Sequence, residues 1–114
     1  MLEIKDKEFA LTFDAGAGRL VFTGLLRRMN KDYKEVQELL EHVARSPLAR
    51  LEVDVVGLKM VNSSGLNTLS RFVLALRART DVQVIFLGAN DVVWHAKTLQ
   101  NMKHFLPAAT VVLR

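Results

Sequence analysis

Cysteine is absent from this 114-residue chain. Its absence excludes a disulfide framework, a thiol nucleophile and a cysteine metal site. No apolar run approaches the roughly 18 residues that a membrane-spanning helix needs. The first residues, Met1 to Asp6, lack the apolar core of a secretory signal. We therefore expect a cytoplasmic protein with no membrane partner.

The composition is that of an ordinary globular domain, with 50% hydrophobic and 25% charged residues. We expect one domain over residues 1–114. The net charge of +4 raises the possibility of a nucleic acid or an acidic partner. Lys and Arg are scattered, however, and Arg27-Arg28 is the only adjacent basic pair. Solvated helix faces are the favoured interpretation, and no nucleic acid is expected; a small-ligand or nucleic-acid binder is the alternative.

Alternation of apolar and polar residues predicts a β-hairpin at residues 8–14 and 20–23. Gly16 and Gly18 lie in the turn between the two strands, where glycine can adopt positive φ. The turn lacks the Gly-x-x-x-x-Gly-Lys spacing of a phosphate-binding loop and no helix follows it. Nucleotide binding is therefore not expected there.

Three helical segments follow, and mostly apolar strands separate them. Asp32, with Glu35 as its capping-box partner, is predicted to begin the first helix, and Asp91 the third. The strands are predicted at residues 51–56, 82–87 and 109–113. The order β-β-α-β-α-β-α-β with right-handed crossovers predicts an α/β fold, in which helices pack on a mixed sheet.

The most informative segment joins the strand at residues 51–56 to the second helix. Asn62-Ser63-Ser64-Gly65 stands immediately before a helical period of Leu66, Leu69, Val73 and Leu76. Polar side chains at a helix start satisfy unpaired backbone N–H groups, and an anion is favourable there. From the residues alone, a serine that caps the helix is the favoured interpretation.

Residues 54–69 resemble the signature of the STAS domain, the fold of bacterial anti-sigma-factor antagonists. The matching residues are Asp54, Val61, Ser63, Ser64, Gly65, Leu66 and Leu69. Two positions depart from the pattern: Asn62 stands where Asp is usual, and Leu26 where many antagonists carry Asp. The run Val93 to Asn101 is similar to a bacterial branch that carries Asn-Ser-Ser-Gly.

The resemblance implies a non-enzymatic, STAS-like switch protein without a cofactor, active in partner switching and transcription regulation. It implies that Ser63 is the phosphoacceptor, that Ser64 caps the helix and that Gly65 permits a close approach of the chain. The implied partners are a serine kinase or anti-sigma-like protein and, for reversal, a PP2C-type phosphatase. The implied partner-binding residues are Lys59, Asn62, Ser63, Ser64, Gly65 and Leu66. The departures at Asn62 and Leu26 favour the alternative, a scaffold subunit of a bacterial signalling complex that does not depend on phosphorylation.

Other chemistry has little support in the sequence. A hydrolase elbow needs glycine two residues before the serine, and Val61 stands there. No histidine pair has metal-ligand spacing, and no metal site is predicted. His95 and His104 flank the predicted apolar stripe of the third helix (Val92, Ala96, Leu99, Met102 and Leu106) and are expected at its surface or edge. Trp94 is expected to be a partly buried edge residue or, if exposed, a partner contact.

Overall fold

The computed structural model describes the backbone of all 114 residues and the side chains of all but Asn30 and Lys31. The strands are β1 (Leu2–Lys5), β2 (Phe9–Asp14), β3 (Arg19–Leu26), β4 (Arg50–Val61), β5 (Gln83–Gly88) and β6 (Thr110–Leu113). The helices are α1 (Lys34–Arg45), α2 (Ser63–Arg77) and α3 (Val93–Phe105), and a 3-10 turn, Asn30–Tyr33, precedes α1. The predicted order of elements is confirmed, and β1 is an additional strand that the periodicity did not indicate.

The six strands form one mixed sheet and lie side by side in chain order. The pairs β1–β2 and β2–β3 are antiparallel, whereas β3–β4, β4–β5 and β5–β6 are parallel. Crossovers of one hand between successive parallel strands place α1, α2 and α3 on one face, where α2 packs between the other two helices. The core lies between this layer and the sheet, and its innermost side chains include Tyr33, Phe13, Phe22, Phe86, Leu58 and Leu99. The predicted α/β class is therefore confirmed.

Strands β3 and β4 are longer than predicted, and their extra residues reach the edge of the sheet where the helices begin. Pairing of β4 with β5 stops at Asp54–Leu87, but its pairing with β3 continues to Leu26–Val61. Gly24 lies at an irregularity in β3 with φ +91°, and a Cβ there would stand 2.1 Å from the Glu8 carbonyl oxygen. Only glycine fits that close approach without displacing the backbone.

The predicted caps at Asp32 and Asp91 are wrong. Asp32 lies inside the 3-10 turn, and α1 begins after Tyr33 without a side-chain capping bond. Tyr33 is fully buried and its hydroxyl accepts the Arg28 N–H at 2.8 Å, so the chain enters α1 through a tight turn rather than an extended cap. Likewise, α3 begins after Val92, one residue beyond Asp91.

Candidate functional site

The carboxyl ends of β3, β4 and β5 meet at one edge of the sheet, and α1, α2 and α3 begin there or shortly beyond it. In open α/β sheets this edge is where binding sites usually form. The Asn62–Leu66 segment lies at its centre, because it joins the longest parallel strand to the middle helix.

Asn62 fastens the start of α2 to the end of β3. Its side-chain oxygen accepts the Gly65 N–H at 2.8 Å, and its side-chain nitrogen donates to the Arg28 carbonyl at 3.1 Å. Its backbone N–H donates to the Leu26 carbonyl at 2.8 Å. One partner is a donor and the other an acceptor, so an amide satisfies both, whereas a carboxylate would set a second negative oxygen against the Arg28 carbonyl. This need for a donor explains physically why Asn stands where Asp is usual.

The prediction that Ser64 caps the helix is wrong, because Asn62 makes the capping bond. Ser63 is the first residue of α2 and is exposed. Ser64 is half-buried in the first turn, and its carbonyl accepts the Thr68 hydroxyl at 3.1 Å. Since the amide of Asn62 serves Gly65, the hydroxyl of Ser63 is not required for the cap.

Gly65 provides the close approach that the signature implies. A Cβ at this buried residue would lie 2.6 Å from Val61 Cγ2 and 3.2 Å from Leu26 Cβ. Leu26 is itself only 2% exposed. The position where many antagonists carry Asp is here part of the core, and it supplies a backbone carbonyl to Asn62 rather than a side chain to a partner.

Three exposed apolar side chains belong to the segments that meet at this edge of the sheet. Met29 is 64% exposed, Met60 48% and Val93 96%. Met29 follows the residue that accepts the Asn62 amide, Met60 lies two residues before Asn62, and Val93 is the first residue of α3. We call Met29, Met60, Ser63 and Val93, with the exposed Lys59, the edge surface. Strand and helix periodicity predict which residues face the core and gave no signal for these three apolar residues.

Ion pairs hold the loop that carries Met29. Arg27 donates two hydrogen bonds to Glu8, and this pairing lowers the pKa of Glu8 and raises the pKa of Arg27. Arg28 pairs with Asp6 in the turn between β1 and β2. Burial raises the pKa of Tyr33, whose hydroxyl accepts the Arg28 N–H. The loop is thus tied to the β1–β2 turn on one side and, through Asn62, to α2 on the other.

The expectation that His95 lies at the surface or edge is wrong, since its side chain is fully buried. Its Nδ1 accepts the Ala89 N–H at 2.8 Å, and its Nε2 donates to the Leu58 carbonyl at 2.7 Å. Ala96, predicted in the buried stripe, is exposed instead. His95 is buried because β4 continues past the end of β5. The Leu58 carbonyl therefore accepts a hydrogen bond from His95 of α3 in place of a strand partner.

Trp94 is partly buried, which agrees with one of the two interpretations of the sequence. Like His95, it donates a hydrogen bond from α3 to a backbone carbonyl of β4. Its indole N–H donates to the Lys59 carbonyl at 3.1 Å. The indole meets the His95 ring edge to face, with ring centroids 4.3 Å apart. Both rings therefore brace the end of β4 from α3.

Within the part of the chain whose side chains are described, no group of acidic, histidine or cysteine residues has the arrangement of a metal site. His42 and His104 are exposed. None of the described helices combines the length and the apolar character needed to cross a membrane.

No protein-family model matches the chain, and no curated protein is detectably similar in sequence. Solved structures of similar fold include two from Pseudomonas aeruginosa. One is a chain of the crystal structure of the diguanylate cyclase SiaD in complex with its activator SiaC from Pseudomonas aeruginosa, with a TM-score of 0.74, 16% identity and 100% of both chains covered. The other is SiaC of Pseudomonas aeruginosa, with a TM-score of 0.68, 17% identity, and 99% of this chain and 98% of that chain covered. Likeness at such identities is likeness of fold, and it confirms the predicted α/β class, in which helices pack on a mixed sheet.

Proposed function

We propose that this chain is a non-enzymatic bacterial signalling protein that binds a protein partner through the edge surface, as a scaffold or activator subunit whose binding does not require phosphorylation. The observation that carries the proposal is the exposure of Met29, Met60 and Val93 in the segments that meet at the carboxyl edge of the sheet. Exposed apolar groups mark a protein-binding surface where they form a contiguous patch. Methionine is frequent at such surfaces because its flexible side chain adapts to a partner.

The polar groups at the edge favour binding over chemistry. Both polar atoms of Asn62 are used within the chain, and His95 spends both ring nitrogens on backbone groups. Neither residue can therefore act as a general base for the Ser63 hydroxyl. The bonds of Asn62, Trp94 and His95 also fix the surface before a partner arrives, which lowers the entropic cost of association.

The comparisons support the same class of function. SiaC is described as an activator and is seen in complex with the cyclase SiaD. This chain shares that fold over its whole length. We include a signalling enzyme, such as a nucleotide cyclase, among the partners that the edge surface is proposed to bind.

Quantitative capture from a lysate of the host tests the proposal with matched variants. Wild type, Met60→Asp and Val93→Asp are immobilised beside Phe105→Asp, a control at the far end of α3 that is 49% exposed against 48% for Met60. We expect a protein that wild type and Phe105→Asp retain and that both edge variants lose. Equal retention by all four chains, each with wild-type circular dichroism, would contradict the proposal.

A serine switch is the second candidate, and the exposed position of Ser63 favours it. A phosphate there adds about −1.5 to −2 charges at the positive end of α2, which the free chain tolerates. A partner covering the same residue would have to desolvate that dianion, so phosphorylation by a serine kinase would release it and a PP2C-type phosphatase would restore binding. In this version the partner is the kinase or an anti-sigma-like protein. However, the amide of Asn62 brings no negative charge with which a kinase could orient the serine.

Intact mass of the protein from its own host, with phosphosite mapping across growth states, separates the two candidates. One phosphate on Ser63 establishes the switch. A chain that stays unmodified in every state while still binding its partner leaves the phosphorylation-independent subunit.

A further inference from the structure

The helix layer is divided by charge. Helices α2 and α3, of 15 and 13 residues, contain no acidic residue, and they carry Arg71, Arg77, Lys97 and Lys103. Helix α1, in the same layer, carries three acidic residues against two basic ones: Glu35, Glu38 and Glu41, with Lys34 and Arg45 at its ends. Along the sequence, residues 55–114 hold seven Lys and Arg against two Asp, whereas residues 1–54 hold nine against ten. The positive charge of the chain therefore lies in its second half.

The cations of α2 and α3 have no acidic partner in the part of the chain whose side chains are described. Among the described side chains, neither Arg71, Arg77, Lys97 nor Lys103 forms a salt bridge. Arg79, just beyond α2, pairs with Asp81 and also donates to the carbonyls of Ala44 and Ser46. Like charges without partners do not stabilise a fold, and a surface of one sign favours a partner of the opposite sign.

An apolar side chain stands among these charges. Leu74 is 48% exposed and lies three residues from Arg71 and three from Arg77, so the three side chains are neighbours on α2. Beside them a groove of about 240 Å³ runs between α1 and α2. Leu40, Phe72 and Ala75 line it, with Arg71 on the α2 side and Glu41 on the α1 side.

We infer that the outer face of α2 binds an acidic protein segment with an apolar anchor. The anchor packs on Leu74 and enters the groove, while carboxylates of the segment pair with Arg71 and Arg77. Glu41 repels carboxylates from the other side of the groove and so fixes which way the segment lies. The exposed residues Ser63, Asn67 and Ser70 connect this face to the edge surface.

The inference rests on the proposed function and names the chemistry of the partner. A nucleic acid fits this surface less well, because a phosphate backbone would have to cross the apolar Leu74 and pass Glu41. For an acidic protein segment, the unpaired cations raise the rate of association at low salt.

Binding to defined probes tests the inference. The probes are a short helical peptide with leucine on one face and glutamate on the other, the same peptide with lysine for glutamate, and duplex DNA of matched length. Fluorescence anisotropy gives the affinities, and amide chemical shifts locate the contact. We expect the acidic peptide to bind at least about tenfold more tightly than the other two, more weakly as salt rises, with shifts along α2.

The variant pair is Arg71→Glu with Arg77→Glu, and the control is Lys5→Glu in β1, whose ion pair with Glu3 is exposed and 3.7 Å long. The double variant should lose about tenfold or more in affinity for the acidic peptide, and the control less than about twofold. Equal binding of both peptides, tighter binding of DNA, or no binding of any probe would overturn the inference. Capture of a host protein that Met60→Asp abolishes would then still support the proposed function, so the two failures are distinguishable.

Discussion

Two helices begin at the same edge of the sheet and are fastened to it by opposite means. The start of α2 is held by the residue before the helix: Asn62 has extended backbone, φ −89° and ψ −178°, and its side chain reaches forward to Gly65 and across to Arg28. The start of α3 has no side-chain cap. It is held from within, because Trp94 and His95 reach back to carbonyls of β4.

The way in which each helix start is attached determines which of its residues remain exposed to solvent. An amide placed before the helix satisfies the N–H of Gly65 and leaves the first residue of α2, Ser63, open to solvent. Rings placed on the second and third residues of α3 leave its first residue, Val93, 96% exposed. Each attachment thus presents one exposed residue to the edge surface, a hydroxyl from α2 and an apolar side chain from α3.

Removing the buried attachment of α3 is expected to have the largest effect. His95→Ala deletes two buried hydrogen bonds, leaves the Ala89 N–H and Leu58 carbonyl without their partner and opens a cavity. We expect the free energy of unfolding to fall by about 3–5 kcal/mol, measured by urea denaturation. The control His104→Ala, at an exposed position of the same helix, should change it by less than about 0.5 kcal/mol. A loss below about 1 kcal/mol for His95→Ala would contradict the conclusion that its two hydrogen bonds hold the start of α3 to β4.

Next in size is the close approach beneath α2. Gly65→Ala places a Cβ 2.6 Å from Val61 Cγ2, and the first turn must move away from β3 and β4. We expect a loss of about 1–2 kcal/mol even though alanine favours the helix, because overpacking outweighs propensity. Gly16→Ala is the control, since its Cβ would meet only Asp14 Oδ1 at 3.4 Å. Thermal unfolding compares the pair, and equal midpoints would argue against a tight contact.

Loss of the side-chain hydrogen bonds of Asn62 should give a graded effect, at most as large as that of Gly65→Ala. Asn62→Asp keeps an acceptor for the Gly65 N–H but has no donor for the Arg28 carbonyl, and Asn62→Ala loses both bonds. We expect losses of about 0.5–1.5 kcal/mol for aspartate and about 1–2 kcal/mol for alanine in urea denaturation at neutral pH. If Asn62→Asp were as stable as wild type, the donor role of the amide would be wrong.

The sequence predicts the order of the elements better than it predicts the residues that begin each helix. Periodicity predicted the order of elements, and the Asn-Ser-Ser-Gly segment located the start of α2. The cap was assigned to Ser64 rather than Asn62 because a cap depends on where the helix begins to within one residue, which a pattern does not fix. Aspartate is a frequent helix cap, but the structure begins α1 after Tyr33 and α3 after Val92, so neither Asp32 nor Asp91 is a cap.

His95 and the edge surface were missed for a different reason. A histidine on the flank of a helix's apolar stripe looks like a surface residue until a long-range partner is known, and the Leu58 carbonyl is 37 positions away in sequence. The exposure of Met29, Met60 and Val93 depends on how the segment after β3, the end of β4 and the start of α3 meet at one edge. Such proximity arises from the sheet topology and not from local spacing.

The smallest effect on stability is expected at Ser63, where the difference between the two helix starts bears on function. Ser63→Asp adds a negative charge at the positive end of α2 and should change the free energy of unfolding by at most about 0.3–1 kcal/mol, in the stabilising direction. Ser70→Asp, exposed in the middle of the same helix, lacks that gain, so urea denaturation of the two variants isolates the effect of position. A loss above about 1 kcal/mol for Ser63→Asp would mean that the helix start does not tolerate a phosphate, and the serine switch would fail on structural grounds. A stable Ser63→Asp chain that binds its partner as wild type does would reject the switch on functional grounds and leave the phosphorylation-independent subunit.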